Sequence, residues 1–394
     1  MEYKIIHLPK EKWKGTIVPI RYTTVQYYDV AVNRNKNGYS VEIEKKDFAQ
    51  PVTHSPEEYN FPDKLYEDFR ETAYAWGVIV EDELVAVIET DPELWSNRLR
   101  ITELWVAEPY QKRGIGHSLM EIAKEQARLE RRRAIILETQ SCNVNAIDFY
   151  LHEGFQLIGM DTCCYKNNDL QRKEVRIELG WFPEKKRRLG REEIEIRMET
   201  EDDWYEIENM TRNAFWNKHK LGCDEHYLVH RLHQHKDYIP ELSRIAVKDG
   251  AIIGYIMYSK ARIVDEATTH EILTFGPLCV EPKWQGTGVG ELLLRETMQI
   301  AAGKGYKGIV IFGEPDYYPR IGFKTCDHFH ITTPDGKNFD AFMGIELIKD
   351  GLKDIKGKFY ESEVFEKLPS EEVEEFDKQF PRLHRIKFPG QWGN

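Results

Sequence analysis

The sequence predicts an α/β protein made of two tandem domains, each a β-sheet flanked by helices. One rare glycine-rich block occurs twice, as QKRGIG at residues 111–116 and as QGTGVG at residues 285–290. Each block lies between a strand-like run and a helical run, and Gly114 and Gly288 are 288 − 114 = 174 residues apart. A spacing of that size is typical of a whole domain rather than of a short structural repeat.

The first copy alternates strand and helix signals between residues 76 and 165. Apolar runs at 77–80 and 84–88 flank an acidic turn, which predicts a hairpin. After the glycine block, apolar residues recur at helical spacing, which predicts an amphipathic helix from Gly114 to about residue 131. The remaining predicted elements are a strand at 101–106, a strand at 134–137, a helix at 145–152 and a strand at 155–159.

The second copy repeats this order after a predicted strand at 194–198 and a helix start at 200–203. Its predicted elements are strands at 245–247, 252–258, 272–280 and 308–312, and a long helix at 288–302. The segment 359–380 alternates apolar and acidic residues, which favours a helix or strand packed on this copy over a partner-binding segment.

These elements divide the chain into an N-terminal domain at 1–180, a linker at 181–192 and a C-terminal domain at 193–394. Mixed charges crowd residues 183–193, and such runs are more often solvated linkers than binding patches. With 394 residues, of which 41% are hydrophobic and 31% charged, the chain is long enough for two or three globular domains.

Composition also narrows the possible partners. The net charge of −12 argues against broad nucleic-acid binding and mildly favours cationic substrates. No apolar run approaches the roughly 18 residues of a membrane helix, so we expect a cytoplasmic protein that does not bind membranes. Its six cysteines lack CxxC spacing, which argues against a zinc site or a disulfide framework.

The position of the glycine block predicts an anion site. A helix start leaves backbone N–H groups unpaired at the positive end of the helix dipole. These donors suit a pyrophosphate, and glycine lets it approach the main chain closely. Neither block contains the Gly-Lys-Ser/Thr of an NTPase phosphate loop, and neither fits the dinucleotide fingerprint at the start of a βαβ unit.

Both copies resemble the GNAT superfamily of acetyl-CoA-dependent N-acetyltransferases, through the Q-x-x-G-x-G block and a later Y-x-x-x-G-F element. The resemblance implies a mixed sheet that splays between two central strands to admit acetyl-CoA. It implies that the block amides bind the coenzyme pyrophosphate and that the preceding strand binds the pantetheine. The cofactor-binding residues implied are Trp105, Val106, Gln111, Lys112, Arg113, Gly114, Ile115, Gly116, Asn145, Leu278, Cys279, Val280, Gln285, Gly286, Thr287, Gly288, Val289 and Gly290.

The two copies resemble different branches of this superfamily. The first is similar to streptothricin acetyltransferases, which acetylate an amine of a β-lysine-bearing antibiotic, through residues 138–140, 145–146, 149–150 and 154–155. The second resembles a group of predicted bacterial acetyltransferases through residues 214–216, 222–226 and 315–323.

Amine acetylation needs a base for the amine proton and an acid for the departing thiolate. Glu103 precedes the first block on the strand where many family members place the base. Tyr150 and Tyr318 occupy the Y-x-x-x-G-F position, where the resemblance implies a proton donor to the coenzyme sulfur. The base of the second copy stays open, with three candidates: Glu314, Asp224 and Glu225.

The sequence therefore predicts an acetyl-CoA-dependent N-acetyltransferase acting on a primary amine of a small cationic molecule, by direct attack in a ternary complex. One copy could instead be a silent acyl-CoA-binding domain that regulates or dimerises, or the acceptor could be a protein lysine; a homo-oligomer is possible. Cys142 and Cys279 have no evident histidine partner for nucleophilic catalysis. His226 and His230 lie one helical turn apart but lack the HExxH pattern, so we expect no metal.

Overall fold

The computed structural model describes residues 3–55, 58, 62–266 and 268–392. The chain divides into two compact units: Met1–Glu184 with Ile386–Gly390, and Lys185–Arg385 with Gln391–Asn394. The sequence-based division assigned all of 193–394 to the second domain, whereas the structure groups the short segment Ile386–Gly390 with the first. Among the described residues, no helix is long and apolar enough to cross a membrane.

The first unit contains a seven-stranded sheet in the order β1-β4-β5-β6-β7-β9-β8 and a separate hairpin, β2-β3. Its strands are β1 (Ile5–His7), β2 (Tyr22–Asn35), β3 (Gly38–His54), β4 (Tyr74–Val80), β5 (Glu83–Glu93), β6 (Arg98–Val106), β7 (Ala134–Gln140), β8 (Gln156–Asp161) and β9 (Arg176–Trp181). Its helices are α1 (Lys10–Trp13), α2 (Ile115–Leu129), α3 (Val144–His152) and α4 (Asp169–Arg172). Every element predicted for the first copy is present, with ends shifted by a few residues.

The sheet of the first unit splays at its centre. Strands β6 and β7 are parallel and pair only from Arg98 to Arg100, opposite Ala134 to Ile136. Beyond Arg100, β6 keeps its pairing with β5 up to Val106 and diverges from β7. The splayed mixed sheet implied by the sequence is therefore confirmed.

The core of the first unit includes a residue from near the end of the chain. Trp76 on β4 is fully buried, and Phe388 is 4% exposed within the same apolar cluster. Their rings lie 5.8 Å apart, and the Trp76 indole N–H donates to Lys387 O at 2.8 Å. The segment Ile386–Gly390 is therefore a structural part of this unit.

The second unit has a nine-stranded sheet. Seven strands follow the order β10-β11-β12-β13-β14-β17-β15, while β18 pairs with β12 and β16. The strands are β10 (Glu195–Arg197), β11 (Arg244–Lys248), β12 (Ala251–Val264), β13 (Thr269–Val280), β14 (Gly308–Phe312), β15 (Lys324–Thr325), β16 (Ile331–Thr332), β17 (Phe342–Glu346) and β18 (Gly357–Tyr360). The helices are α5 (Trp204–Phe215), α6 (Glu225–His233), α7 (Val289–Gly303) and α8 (Ser370–Asp377).

This sheet splays at the equivalent place, because the parallel strands β13 and β14 pair only at Leu273 and Ile309. The prediction for the chain's later segment is also confirmed: β18 joins the sheet and α8 packs beside α6. The Arg212 guanidinium on α5 donates to Asp377 Oδ1 of α8 at 2.5 Å, and this contact fixes α8 on the unit.

Candidate functional site

The two glycine blocks form the same turn. A 3-10 helix (Glu108–Tyr110 in the first copy, Pro282–Trp284 in the second) leads into each block. The fourth residue of each block, Gly114 or Gly288, has a left-handed φ of 82° or 90° and is the N-cap of α2 or α7. An L side chain at these φ values would be strained, so glycine is required by the backbone itself.

The exposed glutamine of each block ties this turn to the preceding strand. Gln111 Nε2 donates to Val106 O at 2.9 Å, and Gln285 Nε2 donates to Val280 O at 3.1 Å. Both bonds tie the turn to the last residue of the preceding strand. The equal spacing between the strand end and the glutamine in the two blocks therefore has a structural reason.

The surroundings of the turn are open on one side and packed on the other. A Cβ added to Gly286 would meet nothing within 4 Å, and one at Gly114 would meet only the Tyr3 hydroxyl at 3.9 Å. By contrast, Ile115 and Val289 are buried in the core and offer a ligand only their backbone. The open side, together with the first-turn N–H groups of α2 and α7, fits a pyrophosphate.

At the end of each of these strands, only alternate residues direct their backbone N–H and C=O groups into the gap between the splayed strands. Ala107 N donates to Val85 O of β5 at 2.8 Å. Because successive residues of a strand direct their backbone groups to opposite sides, the backbone groups of Val106 face the gap and those of Trp105 face β5. In the second copy, Glu281 N donates to Ile253 O at 3.1 Å, which directs Val280 toward the gap in the same way.

Glu103 is half-buried on β6 within a group of carboxylates. It lies directly opposite Glu89, whose carboxylate accepts hydrogen bonds from Tyr66 N at 2.6 Å and Thr102 Oγ1 at 2.8 Å. Burial raises the pKa of Glu103 well above its usual value, and the charges of Asp63 and Glu89 add to this rise. A carboxylate with a raised pKa is a better base near neutral pH.

This cluster of carboxylates also contains a hydrogen-bond acceptor that has no partner among the described residues. Glu67, whose charge acts on Glu103, has a buried Oε1 without a hydrogen-bond partner among the described residues. Arg70 is the cation that acts on Glu103 in the opposite direction. Sequence reasoning missed this group because Glu67 and Glu89 come from separate segments, although pairing β5 with β6 would have placed Glu89 opposite Glu103.

Tyr150 lies on α3 with 8% of its surface exposed. Burial raises the pKa of its phenol, and Glu103 is the charged group that raises it further. The two residues predicted to act in catalysis are thus close enough to influence each other electrostatically. Tyr150 is therefore protonated at neutral pH, as an unperturbed tyrosine also is, and this is the form that can donate a proton.

The second copy repeats the tyrosine element closely. Phe155 N donates to Tyr150 O at 3.0 Å, and Phe323 N donates to Tyr318 O at 3.3 Å. Burial raises the pKa of the Tyr318 phenol, with further contributions from Tyr317 and Glu314. The structure thus places both tyrosines in the same local frame.

The second copy has no counterpart of Glu103 on its strand. Applying the spacing of the blocks, 103 + 174 = 277, the equivalent position is Pro277. Of the three candidate bases, Glu225 is half-buried at the start of α6, and burial with the charge of Asp224 raises its pKa to about 7. Its charge also acts on the thiol of Cys279 on β13, so the carboxylate lies toward this strand.

Other predicted residues have different surroundings. Asn145 is exposed in the first turn of α3, where Asn143 is the residue that caps the helix. Cys142 is buried, and burial raises the pKa of its thiol to about 11. His226 Nδ1 lies 3.5 Å from Cys223 Sγ, whereas His230 Nδ1 lies 3.0 Å from Glu208 Oε1; the two histidines therefore face different partners.

A gap between parallel strands, beside a helix start whose backbone N–H groups face open space, suits a long thiol cofactor with a pyrophosphate. The fold and site therefore define the class of coenzyme-A-dependent N-acetyltransferases. Two family models match the chain: Acetyltransferase (GNAT) family over residues 40–155, and Acetyltransferase (GNAT) domain over residues 241–325. The chain belongs to the GNAT family of acetyltransferases, a class of enzymes that uses acetyl-CoA, and carries two such domains.

Named relatives agree with this family. Streptothricin acetyltransferase of Escherichia coli is 33% identical over 116 residues, which cover 29% of this chain and 66% of the relative. The uncharacterized N-acetyltransferase YhbS of Escherichia coli K12 is 28% identical over 163 residues, covering 41% of this chain and 92% of the relative. The solved structure of YhbS in complex with CoA has a TM-score of 0.40 at 25% identity and covers 45% of this chain and 94% of that structure.

The chain spans less than the full length of some curated relatives. Besides the 66% of streptothricin acetyltransferase, it matches 48% of the N-acetyltransferase YjhQ of Escherichia coli K12, at 33% identity.

Proposed function

We propose that the first domain transfers acetyl from acetyl-CoA to a primary amine of a small cationic molecule, by direct attack within a ternary complex. The observation that carries this proposal is the combination of a half-buried carboxyl, Glu103, on the splayed strand β6 with a buried phenol, Tyr150, in the apolar cluster against which the end of β6 packs. A base and an acid in one place are what acyl transfer to an amine requires.

The charge of the site favours a cationic acceptor. Four carboxylates and one opposing cation, Arg70, set the charge at this place. The carboxylates belong to Asp63, Glu67, Glu89 and Glu103. An ammonium group there would be attracted to the carboxylates. The relative named streptothricin acetyltransferase supports an acceptor of this kind.

The protons that must leave the amine and reach the departing sulfur define a role for each residue. A lysine-type amine has a pKa of about 10.4, so it arrives protonated and must lose a proton before attack. Glu103 accepts that proton, directly or through water. Acetyl-CoA supplies the activated acetyl thioester, and the Val106 N–H polarises its carbonyl. Tyr150 donates a proton to the departing sulfur, and the second proton, which the nitrogen loses after attack, restores the phenol through water.

The second domain has the same cofactor turn and Tyr318, so we propose that it binds acetyl-CoA as well, with Glu225 as its base. Glu225 is favoured over Asp224 and Glu314 because its pKa of about 7 lies near the working pH. Two alternatives remain distinct: a second domain that binds acyl-CoA without catalysis, and an acceptor that is a protein lysine.

Calorimetric titration of acetyl-CoA into the full chain tests this proposal, alongside the variants G114E and G288E. Each glutamate strains a left-handed position and adds negative charge where the pyrophosphate should bind. We expect two sites in the parent chain and one in each variant. Absence of binding to the parent would refute the function, and a single site would assign the chemistry to one domain.

Acceptor class is tested with the same protein by comparing streptothricin, small diamines and lysine-containing peptides. Higher kcat/KM on the small cationic amines supports the proposal. Higher kcat/KM on peptides would replace it with protein-lysine acetylation.

A further inference from the structure

The second cofactor turn has no cationic side chain within its block. The first block contains Lys112 and Arg113, whereas the same positions of the second block hold Gly286 and Thr287. Phosphate-binding turns commonly add a lysine or arginine to the backbone amides. If both turns bind the same ligand, the second needs its positive charge from elsewhere.

The segment 185–191, part of the second unit, lies along this turn. Leu189 N donates to Thr287 O at 2.9 Å, inside the block itself, and Lys186 Nζ donates to Lys283 O at 2.7 Å. The Leu189 side chain is 8% exposed and belongs to the main apolar cluster of the unit. Within the stretch that the sequence predicts to be a solvated linker, Leu189 is therefore buried in the unit, whereas residues 185–188 are exposed.

These contacts place Arg188 over the turn. A Cβ built on Gly288 would lie 3.2 Å from both Nε and Nη2 of Arg188. Its side chain is 67% exposed, so the guanidinium is accessible to a ligand, and it donates to Glu291 Oε2 at 2.7 Å. Glu291 also accepts from Arg295 at 2.8 Å and would keep a partner if Arg188 turned away.

We propose that Arg188 is a phosphate-binding residue of the second acetyl-CoA site, supplying from outside the block the charge that Lys112 and Arg113 supply within the first. This inference rests on the proposed cofactor binding at the second turn. A guanidinium can bind two phosphate oxygens at once, and Arg188 can exchange Glu291 for them without leaving a carboxylate unpaired.

The test uses the full chain carrying G114E, so that only the second turn is available, and CoA as the titrant in calorimetry. R188A is compared with R187A, an equal loss of charge at a neighbouring residue whose guanidinium pairs with Glu193. We expect R188A to weaken CoA binding by about 5- to 20-fold, the range for losing one charged hydrogen-bond donor at an exposed site, and R187A to change it less than about twofold.

A second variant, E291Q, separates ligand binding from a structural tie. If Arg188 binds phosphate, E291Q frees it and removes a like charge from the site, so CoA affinity stays the same or rises. If Arg188 serves only to hold the segment to α7, E291Q weakens CoA binding as much as R188A does, and the inference is overturned.

Two further results are decisive. Equal CoA affinity of the G114E chain with and without R188A overturns the inference while leaving the second cofactor site intact. Failure of the G114E chain to bind CoA with Arg188 present overturns the second site of the proposed function, and the inference with it.

Discussion

The two cofactor turns share a backbone and differ in the origin of their side chains. In both, a glutamine amide ties the turn to the strand end and a left-handed glycine begins the helix. The first turn carries its own cations and follows Glu103, whereas the second has Arg188 beside it and Pro277 at the position equivalent to Glu103. The motif thus specifies the backbone geometry of both turns, whereas the nearby cationic side chains come from the block itself in the first turn and from another segment in the second.

The largest effect that would test this comparison concerns the tyrosines. We expect Y150F to lower kcat for the first acceptor by about 100- to 1,000-fold, because the departing thiolate loses its proton donor. Y318F should do the same in the second domain if that domain is catalytic. Turnover is measured with the other turn blocked by G288E or G114E, and calorimetry checks that CoA binding is retained.

An effect of Y150F alone, with both domains still binding CoA, would show that the second domain is silent. Unchanged turnover in Y150F would remove the proton donor from the proposed mechanism.

Replacing the proposed base of each domain, Glu103 or Glu225, should give the next largest effect. We expect E103Q and E225Q each to lower kcat/KM of their own domain by about 100-fold. A base acts only when deprotonated, so activity of the second domain should fall as pH drops below about 7, the pKa of Glu225. The pH profile of kcat/KM measures this, and E225Q should remove that inflection; an inflection that persists in E225Q would assign it to another group.

Removing the cationic side chains at each turn should have a smaller effect, on CoA affinity. In the chain carrying G288E, we expect the double variant K112A/R113A to weaken CoA binding about tenfold and to make it less dependent on salt, since exposed ion pairs are screened. R188A should leave this first site unchanged. Calorimetry at two salt concentrations distinguishes the cases, and a similar loss from R188A at the first turn would contradict separate charge sources.

The smallest predicted effect is on stability. The raised pKa of Glu103 means that the folded state favours its protonated form, so stability present at low pH is lost as pH rises through that pKa. E103Q should therefore raise Tm by about 2–4 °C at pH 8 and leave it nearly unchanged at pH 4. The exposed E83Q serves as the matched control, and an equal gain at both pH values would count against this cause.

Much of the fold could be predicted because both copies follow strong local patterns. The β4–β5 hairpin, α2 and α7 have clear periodicity, and the glycine blocks mark each helix start. The β2–β3 hairpin was missed although residues 40–44 alternate polar and apolar side chains, because most of its residues are exposed and it lacks the continuous apolar runs of the sheet strands. Its turn does carry a signal, since Asn37-Gly38 is a typical hairpin dipeptide.

The site was less predictable for a different reason. Glu103 and Tyr150 could be proposed from their positions relative to the motifs. Glu67 and Glu89 approach Glu103, and Arg188 approaches Gly288, through tertiary contacts that sequence spacing does not express. The local pattern of residues 183–193 shows only mixed charge, and nothing in it indicates that Leu189 is buried.

The inclusion of Phe388 in the core of the first unit has a consequence for how the protein is made. Ribosomal synthesis adds about 5–20 residues per second, so this unit must wait about 10–40 s after Glu184 for the 386 − 184 = 202 residues that bring in its last segment. The N-terminal domain is thus begun first but completed only after most of the second unit has been made. A gene cut at the linker would release it with the Trp76 indole unpaired and part of its core exposed to water.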